Sequence, residues 1–120
     1  MAGKILVVED EALRRALICY VLRNEGYQVA EAADGVEALE LIRGQRFDLV
    51  ISDFVMPKLN GLKLLAQLHS IYPSLPVIVI SAYMSADSGQ KILQEAAEFI
   101  PKPFELETLC STVQRLVARC

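Results

Sequence analysis

Ile5-Leu6-Val7-Val8 runs straight into Glu9-Asp10, and the same form returns at Leu49-Val50-Ile51, shortly before Asp53, and at Val77-Ile78-Val79-Ile80 before Ser81. Each run is apolar throughout, rich in branched residues and too short for a helix, as expected of a strand buried on both faces. A weaker alternating segment, Tyr27-Gln28-Val29-Ala30-Glu31-Ala32, and the short pair Phe99-Ile100 read as a second and a fifth strand nearer the sheet edges. Five strands are expected.

Helical spacing fills the intervals. Leu13, Ala16, Leu17, Tyr20 and Val21 form one apolar stripe, closed by Asn24-Glu25-Gly26, where glycine takes the left-handed conformation of a helix stop. Asp34 is placed to cap a second helix carrying Val36, Leu39 and Ile42 and stopping at Gly44. Asn60 is placed to cap a third with Leu62, Leu65 and Leu68, halted before Pro73. Residues 85–97 supply a fourth, weaker helix, and Glu105 to Ala118 a fifth with Leu106, Leu109, Val113 and Leu116 on one face. Strict alternation of strand and helix predicts an α/β fold with a doubly wound parallel sheet, because each right-handed crossover packs a helix back onto the sheet. In such sheets ligands bind beyond the carboxyl ends of the strands, where the strand order reverses.

Composition agrees. Of 120 residues, 53% are apolar and 22% charged, which describes a folding chain of one domain, residues 1–120. Twelve basic against fifteen acidic residues give a net charge of −3 without a basic run, so nucleic-acid binding by this chain alone is not expected. No apolar stretch approaches the roughly 20 residues that span a bilayer, and the first residues lack a signal-peptide pattern. A cytoplasmic protein without membrane contact is expected. Three cysteines without a CxxC spacing, and a single histidine, His69, argue against zinc and disulfide scaffolds. Cys19 and Cys110 read as small core residues and His69 as a surface residue without a role.

The strand ends carry the chemistry. The first strand ends in Glu9-Asp10, the third in Asp53, the fourth in Ser81 and the fifth in Lys102-Pro103, all at one edge. Three carboxylates gathered there raise one another's pKa values unless a cation offsets the charge, and a hard divalent ion such as Mg²⁺ fits oxygen ligands best. Opposite them a lysine, its direction fixed by the following proline, and a hydroxyl add donors, so the site suits a small, multiply charged anion: a phosphoryl group. A lone aspartate at a strand end is commonly a turn former or helix cap, and Asp34 and Asp87 are read that way. No GxxxxGK[ST] occurs among the six glycines, so the phosphoryl donor is another phosphorylated molecule rather than a bound ATP.

These residues resemble the receiver domain of bacterial two-component response regulators, CheY-like, over nearly the whole chain. The marks are Val7-Val8-Glu9-Asp10-Glu11, Ala33-Asp34-Gly35 with Glu37-Ala38-Leu39, Asp48-Leu49-Val50 leading to Asp53, Met56-Pro57 with Asn60-Gly61, Ser81-Ala82, and Lys102-Pro103-Phe104. The resemblance implies a flavodoxin-like strand order 2-1-3-4-5 and a phosphorylation-dependent signalling switch, not an enzyme beyond its own phosphorylation and dephosphorylation. Asp53 would accept the phosphoryl group from a histidine kinase or phosphotransfer protein. Glu9, Asp10, Asp53 and the main-chain carbonyl of Val55 would hold Mg²⁺, and Ser81 and Lys102 would contact the phosphoryl group. Ser81 and Phe99 would form the switch that alters the surface of helix four, strand five and helix five, controlling a partner, an output domain or a homodimer formed on phosphorylation. Val55 and Tyr83, two residues beyond Asp53 and Ser81, would govern water access, and neither handles water well, so slow self-dephosphorylation is expected. One departure is Glu95-Ala96, where the family usually has Gly-Ala.

Two rival readings are weaker. A hydrolase of the haloacid dehalogenase type usually carries a second aspartate two residues after its nucleophile, where Val55 cannot transfer a proton. An interaction module that is never phosphorylated would be expected to lose some of the site residues, and all are present.

Overall fold

The computed structural model of the chain describes residues 3–53, 61–81, 98–101 and 104–117, with positions 61, 62, 81 and 101 described by backbone alone. Five strands, β1 (Lys4–Val8), β2 (Gln28–Ala32), β3 (Leu49–Asp53), β4 (Val77–Ser81) and β5 (Glu98–Pro101), form one sheet. Their order is β2-β1-β3-β4-β5, with every neighbouring pair parallel. Four helices are seen among the described residues: α1 (Ala12–Asn24), α2 (Gly35–Gly44), α3 (Gly61–Ile71) and α4 (Leu106–Val117), the last being the helix expected fifth. The helix expected over 85–97, the Asn60 cap, the Glu95-Ala96 departure and Asp87 lie outside the described residues.

The doubly wound architecture follows from strand parity. Successive side chains of a strand point to opposite faces. Leu6 and Val8 join Val50, Val77 and Val79 in one core with Ala38 and Ile42 of α2 and Leu64, Leu65 and Leu68 of α3. Ile5 and Val7 join Leu49, Ile51, Ile78 and Ile80 in a second core with Ile18, Cys19 and Leu22 of α1 and Leu109, Val113 and Leu116 of α4. Both faces are therefore dry, which is why these strands read as unbroken apolar runs rather than as alternation. Burial pushes the Cys19 thiol up to about 11, so it packs as a small neutral side chain.

Local signals close the helices as expected. Gly26 takes φ 96°; its amide donates to the Arg23 carbonyl, and the Tyr27 amide to the Leu22 carbonyl. This paired closure satisfies two orphan carbonyls, with Tyr27 packed against the core below. Asp34 caps α2, its side chain accepting from the Glu37 amide at 2.9 Å. At the other end of the sheet Gly3 leaves room for neighbouring side chains: a Cβ there would lie 2.8 Å from Val117 Cγ1 and 3.2 Å from Asp48 Oδ2.

The rotation of α1 differs from expectation. Its buried residues are Ile18, Cys19 and Leu22, whereas Leu13, Leu17 and Tyr20 are 81%, 51% and 65% exposed. The helix carries two apolar stripes, and the one that faces the sheet continues N-terminally into Arg14 and Arg15, both half-buried over the strand ends. Similarly α2 packs on Gly35, Ala38 and Ile42, leaving Val36 exposed, because small residues allow closer approach to the sheet. The apolar face of α4 is as expected, with Thr112 added to it and its hydroxyl donating to the Thr108 carbonyl.

The rotation of α1 is checked by truncation. Ile18→Ala is expected to lower the unfolding free energy by about 2–5 kcal/mol in urea, whereas Leu17→Ala should stay within about 0.5 kcal/mol. Equal losses at both positions would mean that the other stripe faces the sheet.

Candidate functional site

β1 and β3 are adjacent in the sheet and run in the same direction, so the residues at their carboxyl ends meet. Glu9 and Asp10 follow Val8, and Asp53 closes β3 in register with Ile80 of β4. One carboxylate oxygen from each of Glu9, Asp10 and Asp53 lies within 4.8 Å of the others. Glu9 and Asp53 are buried, at 3% and 6% exposure, while Asp10 faces solvent. Hard oxygen donors converging from two buried groups and one exposed group suit a divalent cation that keeps part of its water.

The cluster is charged against its own burial. Desolvation, then the hydrogen bond with Asp10 and the nearby charge of Asp53, push the Glu9 carboxyl up to about 7. Against this stands Arg14, whose Nη1 lies 3.1 Å from Glu9 Oε1 and 3.7 Å from Asp53 Oδ2, with Nη2 2.8 Å from Glu11 Oε2. Arg15 donates through Nη1 to the Glu9 carbonyl at 2.7 Å, and its Nε lies 3.3 Å from Glu31 Oε1. The Glu9 amide in turn donates to the Ala32 carbonyl, tying this turn to the end of β2. Sequence reasoning missed Arg14. The available signal was spacing, since Arg14, Ile18 and Leu22 are successive members of one helical stripe.

The remaining expected residues divide. Ser81 closes β4 opposite Pro101 of β5, which places its backbone at the same edge, while its side chain is not described. Lys102, Val55 and Tyr83 lie outside the described residues. Phe99 is half-buried against the core of the α2 and α3 face, in register with Val79. Asp34 is the helix cap it was read to be, and His69 is exposed on α3. The cavity of about 980 Å³ lined by Ile42, Arg46, Phe47, Tyr72, Pro76 and Leu116 contains none of the three carboxylates.

A doubly wound parallel sheet in the order β2-β1-β3-β4-β5 defines a flavodoxin-like α/β domain, here with an acidic cluster at its carboxyl edge. The response regulator receiver domain model matches residues 5–114, and the chain belongs to that family. It is 40% identical over 120 residues to the response regulator MprA of a Mycobacterium species, covering 99% of this chain and 52% of that protein. The chain thus spans about half the length of the curated relative. Among solved structures, a CheY-like receiver domain protein from Methanospirillum hungatei superposes with a TM-score of 0.94 at 27% identity, covering 99% of this chain and 96% of that one. The response regulator TrrA of Thermotoga maritima, solved in complex with Mg²⁺ and BeF, superposes with a TM-score of 0.87 at 32% identity, covering 95% and 98%. No helix among the described residues is long and apolar enough to cross a membrane.

The raised Glu9 pKa makes stability depend on pH with a definite sign. Between the ordinary value of 4.5 and about 7 the folded chain holds a proton that the unfolded chain has released. This contribution is complete below the lower value and lost as pH rises through the upper one. In metal-free buffer, the melting temperature of the parent is expected to fall further between about pH 5 and about pH 8 than that of Glu9→Gln. Equal falls would show that Glu9 does not carry this proton.

Proposed function

We propose that this chain, residues 1–120, is a receiver domain that works as a phosphorylation-dependent switch in the cytoplasm. The observation that carries the reading is the convergence of Glu9, Asp10 and Asp53 at the carboxyl edge of a parallel sheet. In a receiver, Asp53 attacks the phosphorus of a phosphohistidine on a histidine kinase or phosphotransfer protein. The new bond joins an Asp53 carboxylate oxygen to phosphorus, the phosphorus–nitrogen bond breaks, and the imidazole leaves as the protein-bound base.

Glu9, Asp10, Asp53 and the main-chain carbonyl of Val55 would hold Mg²⁺, which when bound supplies positive charge to the equatorial phosphoryl oxygens. Glu9 and Asp10 fix where that charge sits, because they are carried by the turn that Arg15 and the Ala32 carbonyl pin. Ser81 and Lys102 would bind the phosphoryl oxygens from the ends of β4 and β5. Phe99, half-buried beside Val79, would follow Ser81 and carry the change to the outer surface, where a partner, an output domain or a second copy reads it. Val55 and Tyr83 would set how water reaches the acyl phosphate.

Labelling tests the acceptor. With Mg²⁺ and acetyl phosphate the parent is expected to form a hydroxylamine-sensitive acyl phosphate, which Asp53→Asn and excess EDTA each abolish. Label undiminished in Asp53→Asn would overturn the assignment.

A docking face for the protein donor adjoins this site. Leu13, Leu17 and Tyr20 recur at helical spacing along α1, all exposed, starting beside Arg14 and Glu11 at the rim of the acidic cluster. An exposed apolar stripe leading into a reactive site suits the helix that carries the phosphohistidine. Leu17→Asp is expected to slow transfer from a phosphohistidine protein by about ten-fold, the loss of one buried anchor. Labelling by acetyl phosphate, which needs no docking, should stay within about two-fold. If both donors slow alike, the stripe is not the docking face.

A further inference from the structure

Arg14 occupies a position that the switch reading leaves without a role. Its guanidinium is forked across the site, with Nη1 on Glu9 at 3.1 Å and on Asp53 at 3.7 Å, and Nη2 on Glu11 at 2.8 Å. Glu9 and Asp53 are buried and belong to the cluster whose oxygens converge within 4.8 Å. Glu11 is the exposed member of the set, and the Arg14 side chain is itself 38% exposed. The side chain thus has one arm in the cluster and one arm at the solvent rim.

We infer that Arg14 is a tethered counter-cation that competes with the divalent ion for the carboxylates of Glu9 and Asp53, and so sets the metal concentration at which the switch can be loaded. The inference rests on the metal site proposed above. A guanidinium hydrogen-bonded to a carboxylate and a metal ion coordinated by it draw on the same oxygen lone pairs. Like charges confined to one cluster also repel, so each cation weakens the hold of the other. The Glu11 arm makes the exchange inexpensive. Nη1 can leave Glu9 and Asp53 by rotation of a long side chain while Nη2 keeps its partner at the rim, so the guanidinium is displaced without being stranded.

Among the described residues, the neighbouring cations do not share this geometry. Arg15 reaches the Glu9 main-chain carbonyl and the Glu31 carboxylate, and Arg23 reaches Glu31 and the Val29 carbonyl. Neither contact uses an oxygen of the cluster. Competition is therefore assigned to Arg14 by its position and not to the general charge of α1.

The test is calorimetric titration of the whole chain with MgCl₂ at fixed ionic strength, comparing the parent with Arg14→Gln, Arg14→Lys and Arg23→Gln. Arg14→Gln is expected to bind Mg²⁺ roughly five- to ten-fold more tightly, the scale of one partly exposed charge contact. Arg14→Lys, which keeps the charge but cannot fork, should fall between Arg14→Gln and the parent. Arg23→Gln, with the same change in net charge, should stay within about two-fold of the parent. A parent isotherm that Arg14→Gln leaves unchanged, or weakens, overturns the role of Arg14 alone. Equal tightening by Arg14→Gln and Arg23→Gln also overturns it, since net charge then suffices. Absence of Mg²⁺ binding in every chain overturns the metal site, and this inference with it.

Discussion

Negative charge gathered at one edge of an otherwise apolar sheet is the constraint to which the rest of the molecule answers. Glu9 and Asp53 are buried beside each other, and a buried carboxylate without compensation is among the costliest groups a protein can hold. Three responses are visible. Glu9 binds its proton more tightly than usual, Arg14 brings a positive charge onto Glu9 and Asp53, and Arg15 anchors the turn through the Glu9 carbonyl. The two dry cores below hold the strand ends in place, so the carboxylates cannot relax apart. A site kept in this condition is ready for an incoming cation, because binding relieves repulsion that the fold itself imposes.

What could be read from residues alone follows the same physics. β1, β3 and β4 were legible because a strand buried on both faces leaves an unbroken apolar run, and their ends were legible because polar residues interrupt those runs abruptly. The caps at Asp34 and Gly26 were legible because their chemistry is local. Helix rotation was not. α1 offers two stripes, Leu13-Leu17-Tyr20 and Ile18-Cys19-Leu22, and periodicity weighs both without saying which meets the sheet. The choice shows in the packing of Ile18, Cys19 and Leu22 on the sheet and in the reach of Arg14 and Arg15 to Asp53 and Glu31, residues distant in the chain. Arg14 was missed for the same reason: an arginine on a surface helix ordinarily points to water, and the positions of Glu9 and Asp53 reveal otherwise. The readings of Lys102, Val55 and Tyr83 fall outside the described residues.

One helix therefore does two jobs on opposite sides. Its inner stripe packs Ile18, Cys19 and Leu22 on the sheet and lays Arg14 across the carboxylates, while its outer stripe stays in water. The paired closure at Gly26 and Tyr27 fixes the far end, so the helix is held at both ends. Rotating it by one residue, about 100°, would expose the inner stripe and withdraw both arginines together.

The strand order also bears on how the chain comes to be folded during synthesis. β1 is made first yet lies between β2 and β3, so one of its edges keeps unpaired backbone groups until residues near Asp53 exist. The core on the α2 and α3 face can be completed once Val79 has been added, whereas the opposite core waits for Leu109, Val113 and Leu116. Val117 beside Gly3 then joins the last described helix to the start of the first strand. For some forty residues of elongation, by the numbers of Val79 and Leu116, one face of the nascent sheet is covered by α1 alone and still lacks α4. Leu49 and Ile51 of β3, on which α4 later packs, are then incompletely covered, and such exposed aliphatic surface is where chaperones and aggregation compete.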